Sequence, residues 1–464
     1  MQHHAIAVAA STLFIAPALA QPADQPANQT ARWRAAVETH TTPLIDAAIV
    51  PGMVVAIHDD NRTAFFPVGA LTPGGDRAPT PDTLYEIGSI TKVFTALLLA
   101  EADRRGEVEI DGPLSRYIPA GTRAPTFADT DTPITLRHLA SHTSGLPRLP
   151  LTFAPANPTD PYADFDTDTL WPALGAAQLA TEPGTTYAYS NFATGLLGTV
   201  LANAADTSYE NLLKTRLFAP AGMATATITL NPNARARLAP PHASSGLPDH
   251  NWNFDALAGA GAIRASARDL IAFAERVLDA RDEPFDAAVT ETSRSLGRVA
   301  PNGHFFGTGW MIARDGSTLF HGGQTGGYHA SLFISPPLDA AVVVLSNGAD
   351  GHVSAVAEKL VQTLAGMSPE PLSFDTPGVT EAQLDRLVGV YDGPMGIVFH
   401  ITRQAGSLLA RIEGQPALRL WPDSPTEFQY REVEARIAFD VQGDAPASAL
   451  TLFQGGQEFR CTRR

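Results

Sequence analysis

The chain has 464 residues, more than one typical domain holds, with 44% hydrophobic and 17% charged residues. That composition fills a large core, makes two domains the expectation and excludes a disordered chain. Its 32 basic and 48 acidic residues give a net charge of −16, and without a basic cluster the balance argues against nucleic acid or an anionic membrane surface as a partner.

Residues 1–20 read as an export signal. Residues 5–20 are apolar, and Ala18-Leu19-Ala20 supplies the small-residue pattern that places cleavage after Ala20. No later apolar run approaches the ~20 residues of a bilayer span, so a secreted or periplasmic protein without a membrane span is expected. Residues 53–57 (Met53-Val54-Val55-Ala56-Ile57) form a short apolar run, expected as a buried strand. Residues 89–105 carry Ile90, Val93, Phe94, Leu97, Leu98 and Ala102 at helical spacing, with Gly106 placed to end the helix. Residues 147–170 are rich in Pro, Asp and Thr and lack a period, so they read as a lid or a surface loop. Two strands are expected at 330–334 and 341–345, followed by a helix with Val353, Val356, Ala357, Leu360, Val361 and Leu364 on one face.

One early strand, two late strands and a closing helix predict an α/β (α+β) unit over residues 21–372. Its antiparallel sheet pairs the first and last parts of the chain, with a helical region between. Residues 366–380 read as linker, the last stretch of it, 373–380, separating the two units. Residues 381–464 change to short runs at 396–402, 408–412, 427–430, 436–440 and 450–453, broken by Gly, Pro and Asp, which suggests a small antiparallel sheet or barrel. Cys461 is the only cysteine, so no intrachain disulfide is expected and this residue reads as buried filler. No His pair stands at ligand spacing with a third ligand, so neither a metal nor a cofactor is expected.

Three short constellations carry chemistry. In Ser89-Ile90-Thr91-Lys92 the two polar residues share a helix face. A serine hydroxyl is a weak nucleophile until a neighbouring base takes its proton. A lysine is that base only when burial or nearby charge lowers its pKa. Alone, the tetrapeptide is better read as a helix-capping serine and a solvated lysine. Tyr189-Ser190-Asn191 offers a phenol for proton relay and an amide for a substrate carbonyl or Lys92. His321-Gly322-Gly323-Gln324 lets a ligand approach the backbone closely, and His321 is placed to orient substrate or a proton relay.

In this order and spacing the three resemble the serine β-lactamases and penicillin-binding proteins. The likeness is to the branch with Tyr-x-Asn in second place: class C β-lactamases, D-alanyl-D-alanine carboxypeptidases, D-aminopeptidases and related carboxylesterases. Residues 134–147 (through His142-Thr143-Ser144-Gly145-Leu146-Pro147), 217–223 and 259–263 are similar to the same family. The resemblance implies a nucleophile at Ser89, proton handling by Lys92 and Tyr189, and positioning by Asn191. It also implies an oxyanion hole from the backbone N–H groups of Ser89 and Gln324, beside Gly323. The third motif departs from the family's Lys-Thr-Gly. An unperturbed histidine is mostly uncharged at neutral pH, and Gly322 has no hydroxyl, which weakens a site for a free carboxylate. His-x-Gly resembles the D-aminopeptidase and esterase branches, so a D-amino-acid peptidase acting on a small molecule or short peptide is expected. A carboxylesterase, a β-lactamase and a non-catalytic penicillin-recognising protein are the alternatives. The C-terminal region resembles the lipocalin-like barrels of some relatives through Leu387-Val388-Gly389-Val390-Tyr391. His138, His142 and His304 are expected to be structural, and His329 to sit at the rim of the third motif.

Overall fold

The computed structural model describes residues 26–464 apart from 129, 298, 375–377, 405, 416, 431, 432 and 434. The export signal expected over 1–20 lies outside the described residues.

Helix α1 (Pro26–Asp46) leads into strands β1 (Gly52–Asp59) and β2 (Arg62–Gly69). Strand β3 (Leu84–Glu86) follows, then a 3₁₀ turn (Gly88–Ile90) that runs into helix α2 (Thr91–Arg104). Strand β4 (Arg264–Ser266) pairs with β3. The late strands are β5 (Phe305–Phe306), β6 (Met311–Ile312), β7 (Leu319–Gln324), β8 (His329–Ser335) and β9 (Ala340–Ser346). They join the early ones in a seven-stranded sheet of order β2-β1-β9-β8-β7-β6-β5. The first and last strands of the unit are thus neighbours, as expected: β1 runs antiparallel to β9 with Val55 opposite Val344.

The alternation of side chains along these strands splits them between two cores. Val54, Ala56, Ala341, Val343 and Leu345 face a core with α2 at its centre. Met53, Val55, Ile57, Val342 and Val344 face a second core capped by Trp33 and Val37 of α1 and by the helix His352–Leu364. A strand buried on both faces has no polar alternation, which is why residues 53–57 read as one apolar run. Helix α2 is buried from Thr91 to Ala102, because it is apolar around its circumference rather than on one stripe. Phe94 packs on Phe273 with ring centroids 4.6 Å apart. Gly106 has φ +71°, the left-handed conformation that ends a helix.

Residues 389–463 form a closed eight-stranded barrel: β10 (Gly389–Asp392), β11 (Val398–Gln404), β12 (Ser407–Ile412), β13 (Leu418–Pro422), β14 (Glu427–Gln429), β15 (Ala435–Asp440), β16 (Ala449–Gln454) and β17 (Gln457–Arg463). The short runs noted in the sequence fall on five of these strands. Three others, β10, β13 and β17, were not among them. In β17 the outward Glu458, Arg460 and Thr462 make the segment read as polar although Cys461 is fully buried. The barrel interior is filled by Tyr391, Phe399, Phe428, Phe439 and their neighbours. It rests on the larger unit through Trp421, which belongs to the α1-side core. Arg419 adds hydrogen bonds to the carbonyls of Ala47 and Ala48. Leu372 and Phe374 also pack on that core, so the first part of the expected linker adheres to the larger unit. Among the described residues, no helix is long and apolar enough to cross a membrane.

Candidate active site

Strand β3 ends at Glu86, and Gly88 then turns the chain with φ +48°, a conformation that costs glycine little. Ser89 is the one residue of the 3₁₀ turn that is not buried. One turn on, Lys92 is 1% exposed, with Nζ 2.9 Å from Ser89 Oγ and 2.7 Å from the carbonyl oxygen of Ala260. Burial first, and the nearby charge of Arg148 second, hold the Lys92 ammonium well below the usual lysine range. A lysine held neutral has a lone pair to accept the proton of a serine hydroxyl.

Tyr189 completes this group. Its hydroxyl hydrogen-bonds the Ser89 side chain, and burial pushes the phenol up to about 12 against the lowering effects of Ser89 and Arg148. Lys92 Nζ lies 4.9 Å from the Tyr189 ring centroid. On the other flank His142, at φ +58°, sets its ring 4.4 Å from that of Tyr189. Its Nδ1 accepts the backbone N–H of Ser190 at 3.2 Å, so the ring proton sits on Nε2. Ser190 caps the helix Asn191–Ala204 by accepting from the Ala193 N–H. Asn191, the first residue of that helix, donates from Nδ2 to the Tyr162 hydroxyl at 2.9 Å, and its Oδ1 is buried without a partner.

The third motif lies along β7 and packs directly on the serine. A Cβ on Gly323 would stand 1.9 Å from Ile87 O and 2.8 Å from Ser89 N, and one on Gly88 would stand 2.6 Å from Gln324 N. Thr325 N–H donates to Tyr328 O at 3.1 Å. The adjacent pair, Gln324 opposite His329, is therefore of the kind that exchanges no hydrogen bond. The Gln324 N–H points away from β8, toward the backbone at 87–89. It and the free N–H at the start of the Ser89 turn form a pair of donors suited to an oxyanion. His321 is buried beside them. Its Nδ1 donates to Gly322 O at 2.6 Å, and burial and Lys92 hold its pKa down to about 4, so it is neutral at pH 7.

Of the seven residues singled out in the sequence, Ser89, Lys92, Tyr189, His321, Gly323 and Gln324 thus gather around the junction of the 3₁₀ turn, β7 and the Tyr189 turn, whereas the Asn191 side chain bonds Tyr162 and not Lys92. The expected structural histidines divide. His138 Nδ1 accepts the Thr135 N–H and closes a helix cap, whereas His142 touches the site. His329 bonds Gln324 Oε1 at 3.1 Å and Ser354 Oγ at 2.8 Å. The sequence reading missed four contributors. Ala260 offers only its carbonyl, which no side-chain pattern reveals. Glu86 forms a buried ion pair with Arg264 at 3.3 Å and accepts the Trp252 N–H, fixing the strand that delivers Ser89. Tyr162 stacks on Phe254 with centroids 4.5 Å apart and so pins the 147–170 segment beside Asn191. Arg148 sets its guanidinium carbon 5.3 Å from the Tyr189 ring centroid, and the only sequence signal for it was its place directly after Pro147.

Known proteins resemble this chain in sequence and fold. The chain is 34% identical over 227 residues to the D-alanyl-D-alanine-carboxypeptidase/endopeptidase AmpH of Escherichia coli K12, a match covering 49% of this chain and 57% of that protein. The chain therefore spans little more than half of that relative's length. It is 25% identical over 421 residues to penicillin-binding protein 4* of Bacillus subtilis, covering 82% of this chain and 88% of that one. The solved β-lactamase/D-alanine carboxypeptidase of Yersinia pestis superposes with a TM-score of 0.63 at 27% identity, over 72% of this chain and 99% of the other. The β-lactamase family model matches residues 37–367, most of the unit that carries the site, and the chain belongs to the β-lactamase family.

Proposed function

We propose that the protein is a serine hydrolase that cleaves amide or ester bonds through an acyl-enzyme on Ser89, with D-amino-acid peptides as its preferred substrates. The observation that carries this reading is the 2.9 Å contact between Ser89 Oγ and a fully buried Lys92 whose ammonium form is disfavoured. In the first step Lys92 Nζ takes the hydroxyl proton as Oγ bonds to the substrate carbonyl carbon. The carbonyl oxygen becomes an oxyanion between the N–H groups of Ser89 and Gln324, beside Gly323. As the bond to the leaving group breaks, the Tyr189 hydroxyl gives its proton to the departing nitrogen or oxygen. Lys92 then reprotonates Tyr189. Water repeats the sequence on the acyl-enzyme and frees Ser89. Asn191, with an unpaired buried Oδ1, and His321 position the substrate.

The D-peptide preference draws support from relatives whose names carry D-alanyl-D-alanine-carboxypeptidase or D-alanine carboxypeptidase activity and from the His-x-Gly motif. The second reading, a carboxylesterase, is favoured by one observation: His321 is neutral and Gly322 has no hydroxyl, so the third motif brings no charge for a substrate carboxylate. Export and removal of residues 1–20 belong to the same proposal.

The test compares kcat/KM for a D-alanine anilide and a short-chain nitrophenyl ester, with Ser89→Ala as the blank. Anilide turnover of the same order as ester turnover supports the peptidase. Ester turnover without anilide cleavage shifts the reading to an esterase. Hydrolysis that survives Ser89→Ala overturns the mechanism.

A further inference from the structure

Two cations border the ring of Tyr189, and they differ in every respect. Lys92 is buried and its Nζ is engaged by Ser89 and Ala260. Arg148 is exposed, and its guanidinium rests against the ring alone. Among the described residues no carboxylate or carbonyl takes a hydrogen bond from it. Its backbone is nevertheless fixed. Arg148 O accepts the Phe192 N–H at 3.1 Å, and the preceding Pro147 O accepts the Ser190 hydroxyl at 2.7 Å. Both donors belong to the turn that carries Tyr189 and Asn191, so the base of the arginine is locked to the catalytic group while its head faces solvent.

A free guanidinium at that place is conspicuous on a chain of net charge −16. Its planar fork matches a carboxylate in bidentate fashion. The guanidinium and Ser89 Oγ both touch one tyrosine side chain, and an extended substrate advances ~3.5 Å per residue. A carboxylate only a few residues from the scissile carbonyl therefore comes within range.

We propose that Arg148 is a specificity-determining residue that binds a carboxylate of the substrate, supplying from the Tyr189 side the positive charge that His321-Gly322-Gly323 lacks. The proposal rests on the acyl-serine reading above. It narrows the substrate class to anionic acyl compounds, whether the carboxylate lies on the acyl part or on the leaving group.

The experiment uses the whole protein and four substrates: an N-acetylated D-alanyl-D-alanine, its C-terminal amide, a C-terminally amidated peptide with a D-glutamyl carboxylate on the acyl part, and a neutral nitrophenyl ester. Because Arg148 also acts on Lys92, a change common to all four substrates carries no information about recognition, and the ratio of kcat/KM for anionic over neutral substrates is the readout. In Arg148→Gln that ratio is expected to fall about tenfold to a hundredfold, the worth of a charge-assisted hydrogen bond. The loss should lie in KM and be partly restored by Arg148→Lys. The substrate whose ratio falls identifies the side on which the carboxylate sits. An unchanged ratio for both anionic substrates overturns the proposal while leaving the mechanism standing. Absence of any acyl adduct on Ser89 by intact mass, with every substrate, overturns both.

Discussion

Gly323 rests its Cα on the backbone of Ser89: a Cβ at that position would stand 2.8 Å from Ser89 N and 1.9 Å from Ile87 O. Neither neighbour is the end of a flexible side chain, so one methyl group must push β7 off the 3₁₀ turn and separate the two N–H groups. Gly323→Ala is expected to lower kcat by ~100-fold or more, the cost of losing one oxyanion donor. Circular dichroism and KM should change little. A variant with full kcat would show that the two segments need not touch for catalysis.

The Lys92 ammonium is disfavoured by burial and then by Arg148, and only the neutral amine can accept the Ser89 proton. Activity is therefore low when Lys92 is protonated and rises with pH through its depressed pKa. Removing the positive charge in Arg148→Gln raises that pKa, so the acid limb of kcat/KM for the neutral ester should move to higher pH. A wild-type profile that is flat from about pH 5 to 9 would speak against a titrating base in that range.

His321 and His329 are both held down to about 4, chiefly by burial, against 6.5 for a free imidazole. Between those values the unfolded chain binds more protons than the folded one, so stability rises with pH across this window. Stability should thus be lost as pH falls below about 6.5, with the loss complete near 4, by ~3 kcal/mol for each histidine. Around His329, Asp350 works against the lowering and His352 adds to it. Urea unfolding at pH 7, 5.5 and 4 measures the slope. His329→Gln, which keeps polar atoms for Gln324 and Ser354, should make it shallower.

Glu86 and Arg264 are each 3% exposed at the side chain. Burial raises the Glu86 pKa and the Arg264 charge opposes that rise. Arg264→Met leaves a buried carboxylate without its partner and is expected to cost ~3–5 kcal/mol. The double variant Glu86→Gln, Arg264→Met should recover part of that loss in the same urea titration. Equal stabilities for the single and double variants would mean that the charge pair itself matters little.

Trp421 is 3% exposed, inside the α1-side core, with the Arg419 guanidinium 4.1 Å from its ring centroid. Trp421→Ala should remove ~3–5 kcal/mol of packing and expose the stretch around Leu372 and Phe374 to proteolysis. The proposed catalytic residues lie across the sheet, so kcat per folded molecule should hold. A large fall in kcat would instead tie the barrel to the site.

What the sequence revealed and what it hid follow from the kind of interaction involved. Continuous apolar runs exposed β1, β8 and β9, and helical spacing of apolar residues exposed α2 and the helix His352–Leu364, because burial writes itself into composition. Ser89, Lys92 and Tyr189 stood out because the proposed acyl-serine chemistry needs those side chains at those spacings. The Ala260 carbonyl left no trace, since any residue supplies a carbonyl. Arg148 and Tyr162 lie in a stretch without period, where only three-dimensional contact with Tyr189 and Asn191 gives them meaning. Strand β17 was hidden by its polar outer face: half of a barrel strand looks to solvent, and here Glu458, Arg460 and Thr462 on that half dominate the reading.

The sheet order has a consequence for the timing of folding. Strand β1 finds its inner neighbour only in β9, and Ser346 Oγ donates to Gly52 O across 294 residues. Contacts so distant along the chain must offset the entropy of closing a long loop before they return any stability. At ~5–20 residues per second, Ser89 emerges on the order of tens of seconds before the strands that press Gly323 against it. Until then Ser89 exists as sequence but not as part of a site. In a chain of this topology the proposed site is assembled only when the last sheet strand arrives.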